Sequence, residues 1–135
     1  MKRFFVYYLA ILCYGEPQAQ AQPSQQLLDA IKQVESGGDC DAIGDGGKAI
    51  GPYQIHRSYW SDACAYDPTL ASRPYYACFE EAYARRVVVA YLTRYGKGKN
   101  AEQLARIHNG GPSGHRKAAT KSYWNKIEDA MENKR

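Results

Sequence analysis

Cysteine is scarce. The chain of 135 residues has four, and Cys13 falls in the first apolar run. The other three, Cys40, Cys64 and Cys78, allow one bridge and one leftover thiol. Most of the stability must therefore come from a hydrophobic core rather than from staples. The expected disulfide is Cys64–Cys78, closing a loop that holds Pro68 and Pro74 and worth about 3 kcal/mol. Cys40 then stays free, or pairs with one of the two instead. Histidine is scarcer still, with three scattered residues. Three Cys and three His at these positions make no zinc spacing, so neither a metal nor a cofactor is expected. Charge of one sign is also lacking: the formal net charge is +4. No basic stripe interleaves with aromatics, which argues against a nucleic-acid partner. Mild basicity favours anionic polymers. No internal repeat is present, and no apolar run reaches the ~20 residues that a membrane span needs.

The first apolar run, Phe4 to Tyr14, follows Lys2 and Arg3 and precedes Ala19-Gln20-Ala21. A positive start, a short apolar stretch and a small-x-small site are the parts of a secretory signal. Residues 1–21 are read as that signal peptide and 22–135 as a single domain. Export follows, either out of the cell or into a periplasm, with no membrane attachment after cleavage. A monomer is expected.

At 44% hydrophobic and 24% charged, the chain can bury a modest core. It is rich in one aromatic: it has twelve tyrosines. Tyrosine fills cores and also presents a flat face with a polar tip to sugars or peptides. Ser24 precedes the helical rhythm Leu27, Leu28, Ile31 and Val34, which Gly37 and Gly38 should end. Residues 39–50 read as turns with a small hairpin, 52–63 as a short helix and 65–75 as a loop. The longest helix is expected over 76–95, where Phe79, Tyr83, Val87, Tyr91 and Tyr95 recur every fourth residue. A short helix over 101–107 should stop at "HNGGPSGH", and a last one should span 120–132. The fold class is thus mostly α with a small β or irregular lobe.

Chemistry concentrates in "QVESGGDCDAIGDGGKAIGPYQI". Glu35 ends an apolar helix face, so burial is expected to raise its pKa, as a general acid near neutral pH requires. A frayed, exposed helix end is the plainer reading of the same residue. Asp39, Asp41 and Asp45 follow among glycines. One of them, kept ionised, could support a cationic sugar centre, although Asp and Gly are also ordinary turn residues. Tyr53, Tyr59 and Trp60 could stack on sugar rings or fill the core. Gln54 could bond hydroxyl or N-acetyl groups. His108 and Asn109 could line a cleft or merely cap a helix.

The ordered blocks "VESGGDCDAIGDGGKAIGPYQIHRSYWSDAC" and "ARIHNGGPSGHRKAATKSYWNKI" resemble the invertebrate-type (i-type, destabilase-like) lysozymes over most of the mature chain. The resemblance implies a lysozyme-like α+β fold with a cleft between a helical body and a small lobe. It implies hydrolysis of the β-1,4 bond between N-acetylmuramic acid and N-acetylglucosamine in peptidoglycan. On it, Glu35 matches the general acid and Asp45 the nucleophile or stabiliser, with Asp41 as the fallback. Ile50, Gly51, Tyr53, Gln54, Tyr59, Tyr91, His108, Asn109 and Gly110 match sugar-contacting positions. Family members are usually richer in cysteine. Some also have an isopeptidase activity attributed to a Ser, but their Ser-rich stretch before "CGPYQI" is "GKAIGPYQI" here, so no such activity is assigned. Two other readings share the pattern: a lytic transglycosylase, which leaves 1,6-anhydro ends, and a non-catalytic wall-binding module.

Overall fold

The computed structural model describes residues 22–133. The leader and Cys13 lie outside them. Ser24 opens helix α1 (Gln25–Ser36) by accepting a 3.1 Å hydrogen bond from the Leu27 amide. Leu27, Leu28, Ala30 and Ile31 form its buried face, and Gly37 ends it in the left-handed region, at φ 65°. Three two-residue strands follow: β1 (Ile43–Gly44), β2 (Ala49–Ile50) and β3 (Ile55–His56), antiparallel in the order β1-β2-β3. Then come α2 (Arg57–Tyr66), α3 (Glu81–Tyr95), α4 (Ala101–Gly110) and α5 (Lys121–Glu132).

The small lobe thus contains a genuine sheet, and strand β3 takes residues expected in a helix over 52–63. The region 65–75 is not a plain loop, because short 3-10 turns occupy Pro68–Ser72 and Tyr75–Phe79. The second of these also shortens the long helix, which begins at Glu81 rather than at 76. Helix α4 runs on to Gly110, since its Asn100/Gln103 capping box starts it firmly and only Gly111, at φ 84°, breaks it.

Helix α3 is the hub, with Tyr83, Ala84, Val87, Val88, Ala90, Tyr91 and Leu92 all buried. It packs against α2 and α4, while α5 packs against α1 and α4. Lys32 on α1 reaches Glu81 at the start of α3, 2.6 Å away. Tyrosine hydroxyls fasten the 3-10 segments to the body. Tyr83 Oη donates to the Leu70 carbonyl at 2.7 Å, and Tyr75 Oη to the Ile55 carbonyl at 2.7 Å. Trp60 Nε1 in turn donates to Tyr83 Oη. Each bond satisfies a buried polar group and fixes one loop position. These bonds stand where a disulfide was expected. Cys64 and Cys78 are free thiols, as is Cys40. Burial and the nearby Cys64 push the Cys78 thiol up to about 12, so it stays protonated and unreactive. Sequence separation allowed a bridge, but a bridge needs a particular Cα and Cβ geometry that spacing does not supply. Among the described residues no helix is long and apolar enough to cross a membrane.

Candidate active site

The C-terminal turn of α1, the small sheet, the start of α2 and the end of α4 enclose an open cleft of about 620 Å³. Glu35 and Asp45 both line it, together with Gln54, Tyr59, Tyr91, His108 and Asn109 from the sequence expectation. Asp41 does not; its own amide bonds to Asp39 in a turn instead.

The strand register explains part of this selection. Gly44, Ala49 and His56 are paired across the sheet, as are Ile43, Ile50 and Ile55. Side chains alternate between faces along a strand, so Ala49 and His56 look into the cleft while Ile50 looks away from it. Ile50 therefore lies outside the cleft, lining a separate groove. Three further expected sugar contacts lie elsewhere. Tyr53 is fully buried in the core, and its hydroxyl has no hydrogen-bond partner among the described residues. Gly51, at φ 75°, packs so closely on the Cys78 carbonyl that an added Cβ would sit 2.0 Å from that oxygen. Gly110 fits against Thr120, whose methyl would be 2.6 Å from such a Cβ. Neither glycine lines the cleft, and both sites are close-packed.

Glu35 sits at the centre of a relay that spans four elements. Tyr123 on α5 donates to its Oε1 at 2.8 Å, and His108 Nε2 on α4 lies 3.4 Å from the same oxygen. His108 Nδ1 is 2.9 Å from Tyr59 Oη on α2. His108 thus bridges the Glu35 carboxyl and the Tyr59 phenol through its two ring nitrogens. The Tyr59 ring is stacked on Tyr91, with centroids 3.6 Å apart. The stack covers one face of each ring, and both rings line the cleft. Burial holds the Tyr59 and Tyr123 phenols well above their ordinary range and Tyr91 at about 12. All three are neutral donors at neutral pH.

The expected rise of the Glu35 pKa is not what the free site provides. Burial is the strongest single influence and does push it up. The hydrogen bond and charge of His108, the Tyr123 phenol and the charge of His56 together outweigh it, and the net direction is down. Removing one donor should tip the balance back. Tyr123→Phe is expected to raise the Glu35 pKa, read by NMR titration of its side-chain carboxyl. An unmoved titration would mean that the phenol does not hold the carboxylate.

Asp45 is built differently. It adopts φ 50°, a left-handed conformation that Asp tolerates better than most residues. Its Oδ2 lies 3.1 Å from His56 Nε2. Its side chain is 64% exposed, against 20% for Glu35. Gln54 also holds a positive φ, 49°, and spends its amide donors on the Ala42 and Gly51 carbonyls, which ties the hairpin together. Gly111 and Pro112 form the far wall, and buried Arg106 braces the segment after them by donating to Thr120 Oγ1 and to the Lys117 carbonyl. Sequence reasoning missed His56, Tyr123, Ser58 and Asp62. His56 was visible only as the residue after "GPYQI", and Tyr123 only as a core-spaced neighbour of Ile127. Among the described residues, no three His, Cys, Asp or Glu side chains converge as a metal site.

Comparison with known proteins finds lysozymes among the relatives of this chain. The destabilase family model matches residues 24–130. A lysozyme of Magallana gigas is 38% identical, the match covering 80% of this chain and 80% of the relative. Lysozyme 1 of Crassostrea virginica is 37% identical over 78% of this chain, which spans only 58% of that longer relative. Invertebrate-type lysozyme 6 of Caenorhabditis elegans is 35% identical over 92% of this chain and 96% of its own length. A solved structure of the Meretrix lusoria lysozyme, in complex with the inhibitor PliI of Aeromonas hydrophila, superposes with a TM-score of 0.67 at 31% identity. That superposition covers 79% of this chain and 89% of the other. The fold is the lysozyme-like α+β fold, and the chain belongs to the destabilase family of lysozyme-type enzymes.

Proposed function

We propose that the protein is a secreted, monomeric, bacteriolytic glycoside hydrolase that cleaves the β-1,4 bond between N-acetylmuramic acid and N-acetylglucosamine in peptidoglycan. The observation that carries this reading is the asymmetry of the two cleft carboxyls. Glu35 is mostly buried within a donor relay, whereas Asp45 faces solvent beside an imidazole. Two carboxyls in unlike surroundings can take opposite roles, a division of labour whose type case is itself a lysozyme.

Glu35 protonates the glycosidic oxygen, Asp45 stabilises or captures the anomeric carbon, and Glu35 then activates water. Glu35 takes the proton it needs from solvent. In the free cleft the carboxylate is favoured. Sugar rings that fill the cleft expel water and deepen the burial of Glu35, which favours its protonated form. His56 holds Asp45 toward the cleft.

Mass spectrometry of peptidoglycan digests tests the reading. Hydrated reducing ends are expected, and Asp45→Asn should lower turnover about a hundredfold or more. Anhydro ends with full activity in Asp45→Asn would instead identify a lytic transglycosylase. Binding without turnover would identify a wall-binding module.

A further inference from the structure

A second groove of about 670 Å³ runs beside the small sheet, with Ile43 and Ile50 among its lining residues. His56 and Ser58 line both it and the cleft, so the two are continuous over one wall. Its character differs from that of the cleft. Among the described residues, three large apolar side chains stand out as exposed, and two of them, Ile43 and Tyr76 at 66% each, border this groove. Lys48 and Arg57 also line it, and no carboxylate does. Neither cation has an ion-pair partner among the described residues.

Arg57 is nevertheless held in place. Its guanidinium carbon lies 4.5 Å from the Tyr75 ring centroid and 6.0 Å from that of Tyr76. Stacking engages the flat face of a guanidinium and leaves the N–H groups on its edge free. A planar, pre-positioned fork of unused donors matches a carboxylate, and Lys48 adds a second positive charge. Such a surface suits a short, carboxylate-bearing chain with some apolar content. Its two cations, unpaired among the described residues, select for the carboxylates rather than for a neutral sugar.

We propose that this groove binds the carboxylate-bearing peptide stems of the same polymer whose glycan lies in the cleft. The inference rests on the peptidoglycan reading. A stem branching from a sugar in the cleft passes over the His56–Ser58 wall and places its carboxylates against Arg57 and Lys48.

The test is equilibrium binding by calorimetry in the Glu35→Gln background, which blocks turnover. The probes are soluble peptidoglycan strands with intact stems and the same strands trimmed of peptide. Stem-bearing strands are expected to bind about tenfold more tightly. Arg57→Gln with Lys48→Gln should erase that preference while leaving affinity for trimmed strands unchanged. Equal binding of both strands by the intact groove, or a preference that survives the double substitution, overturns the inference alone. Binding of neither strand overturns the peptidoglycan reading and the inference with it.

Discussion

Glu35→Gln is expected to lower the rate of wall lysis roughly a thousandfold or more, in keeping with the loss of a general acid. The amide keeps the shape of the carboxyl and can still accept from Tyr123, so folding at neutral pH should change by no more than ~1 kcal/mol. Thermal melts alongside lysis rates separate the two effects. Undiminished lysis would refute the role given to Glu35. The same variant has a second signature. A carboxyl whose folded pKa lies below its unfolded value contributes stability above the unfolded value, and that contribution is lost as pH falls through the folded one. Glu35 is shifted down from an ordinary 4.5. The wild type should therefore lose this contribution as the pH drops below about 4.5. The Gln variant has no group there to titrate, so its stability should fall less steeply over the same acid range.

Gly51→Ala should be the most damaging conservative change outside the cleft. The new Cβ would meet the Cys78 carbonyl oxygen at 2.0 Å and its carbon at 2.9 Å, both backbone atoms that cannot swing aside. The position also keeps φ at 75°, which costs an L-residue about 1–2 kcal/mol. Overpacking adds about 1–3 kcal/mol. A loss of about 2–5 kcal/mol is expected, seen as a fall in Tm of roughly 8–25 °C for a domain of this size. Below that Tm, the KM for glycan should be unchanged. A normal Tm with a raised KM would restore Gly51 as a sugar contact and displace its packing role.

Both outcomes turn on distinctions that local sequence left open. Gly51 and Gly110 lie within the blocks that resemble the family, and so do Gln54 and His108. Block membership does not separate a residue that faces the ligand from one that packs behind it. Ile50 and Ala49 are chain neighbours, yet strand alternation sends one to the outer groove and the other to the cleft. Tyr53 carries an aromatic ring suited to sugar, but it fills the core. Cys64 and Cys78 had a plausible separation without the geometry of a bridge.

The sequence by itself determined the helical body and most helix ends, because caps and apolar periodicity act over a few residues. Ser24, Gly37 and the fourfold spacing through Tyr83, Val87 and Tyr91 were sufficient for that. It also singled out Glu35 and Asp45, through the order of motifs around them. Only the tertiary structure decided the electrostatic state of Glu35. The partners that lower its pKa come from β3, α4 and α5, and Tyr123 is 88 positions away along the chain. A pKa follows the groups that surround a carboxyl in space, and those groups are brought together only when the helices pack.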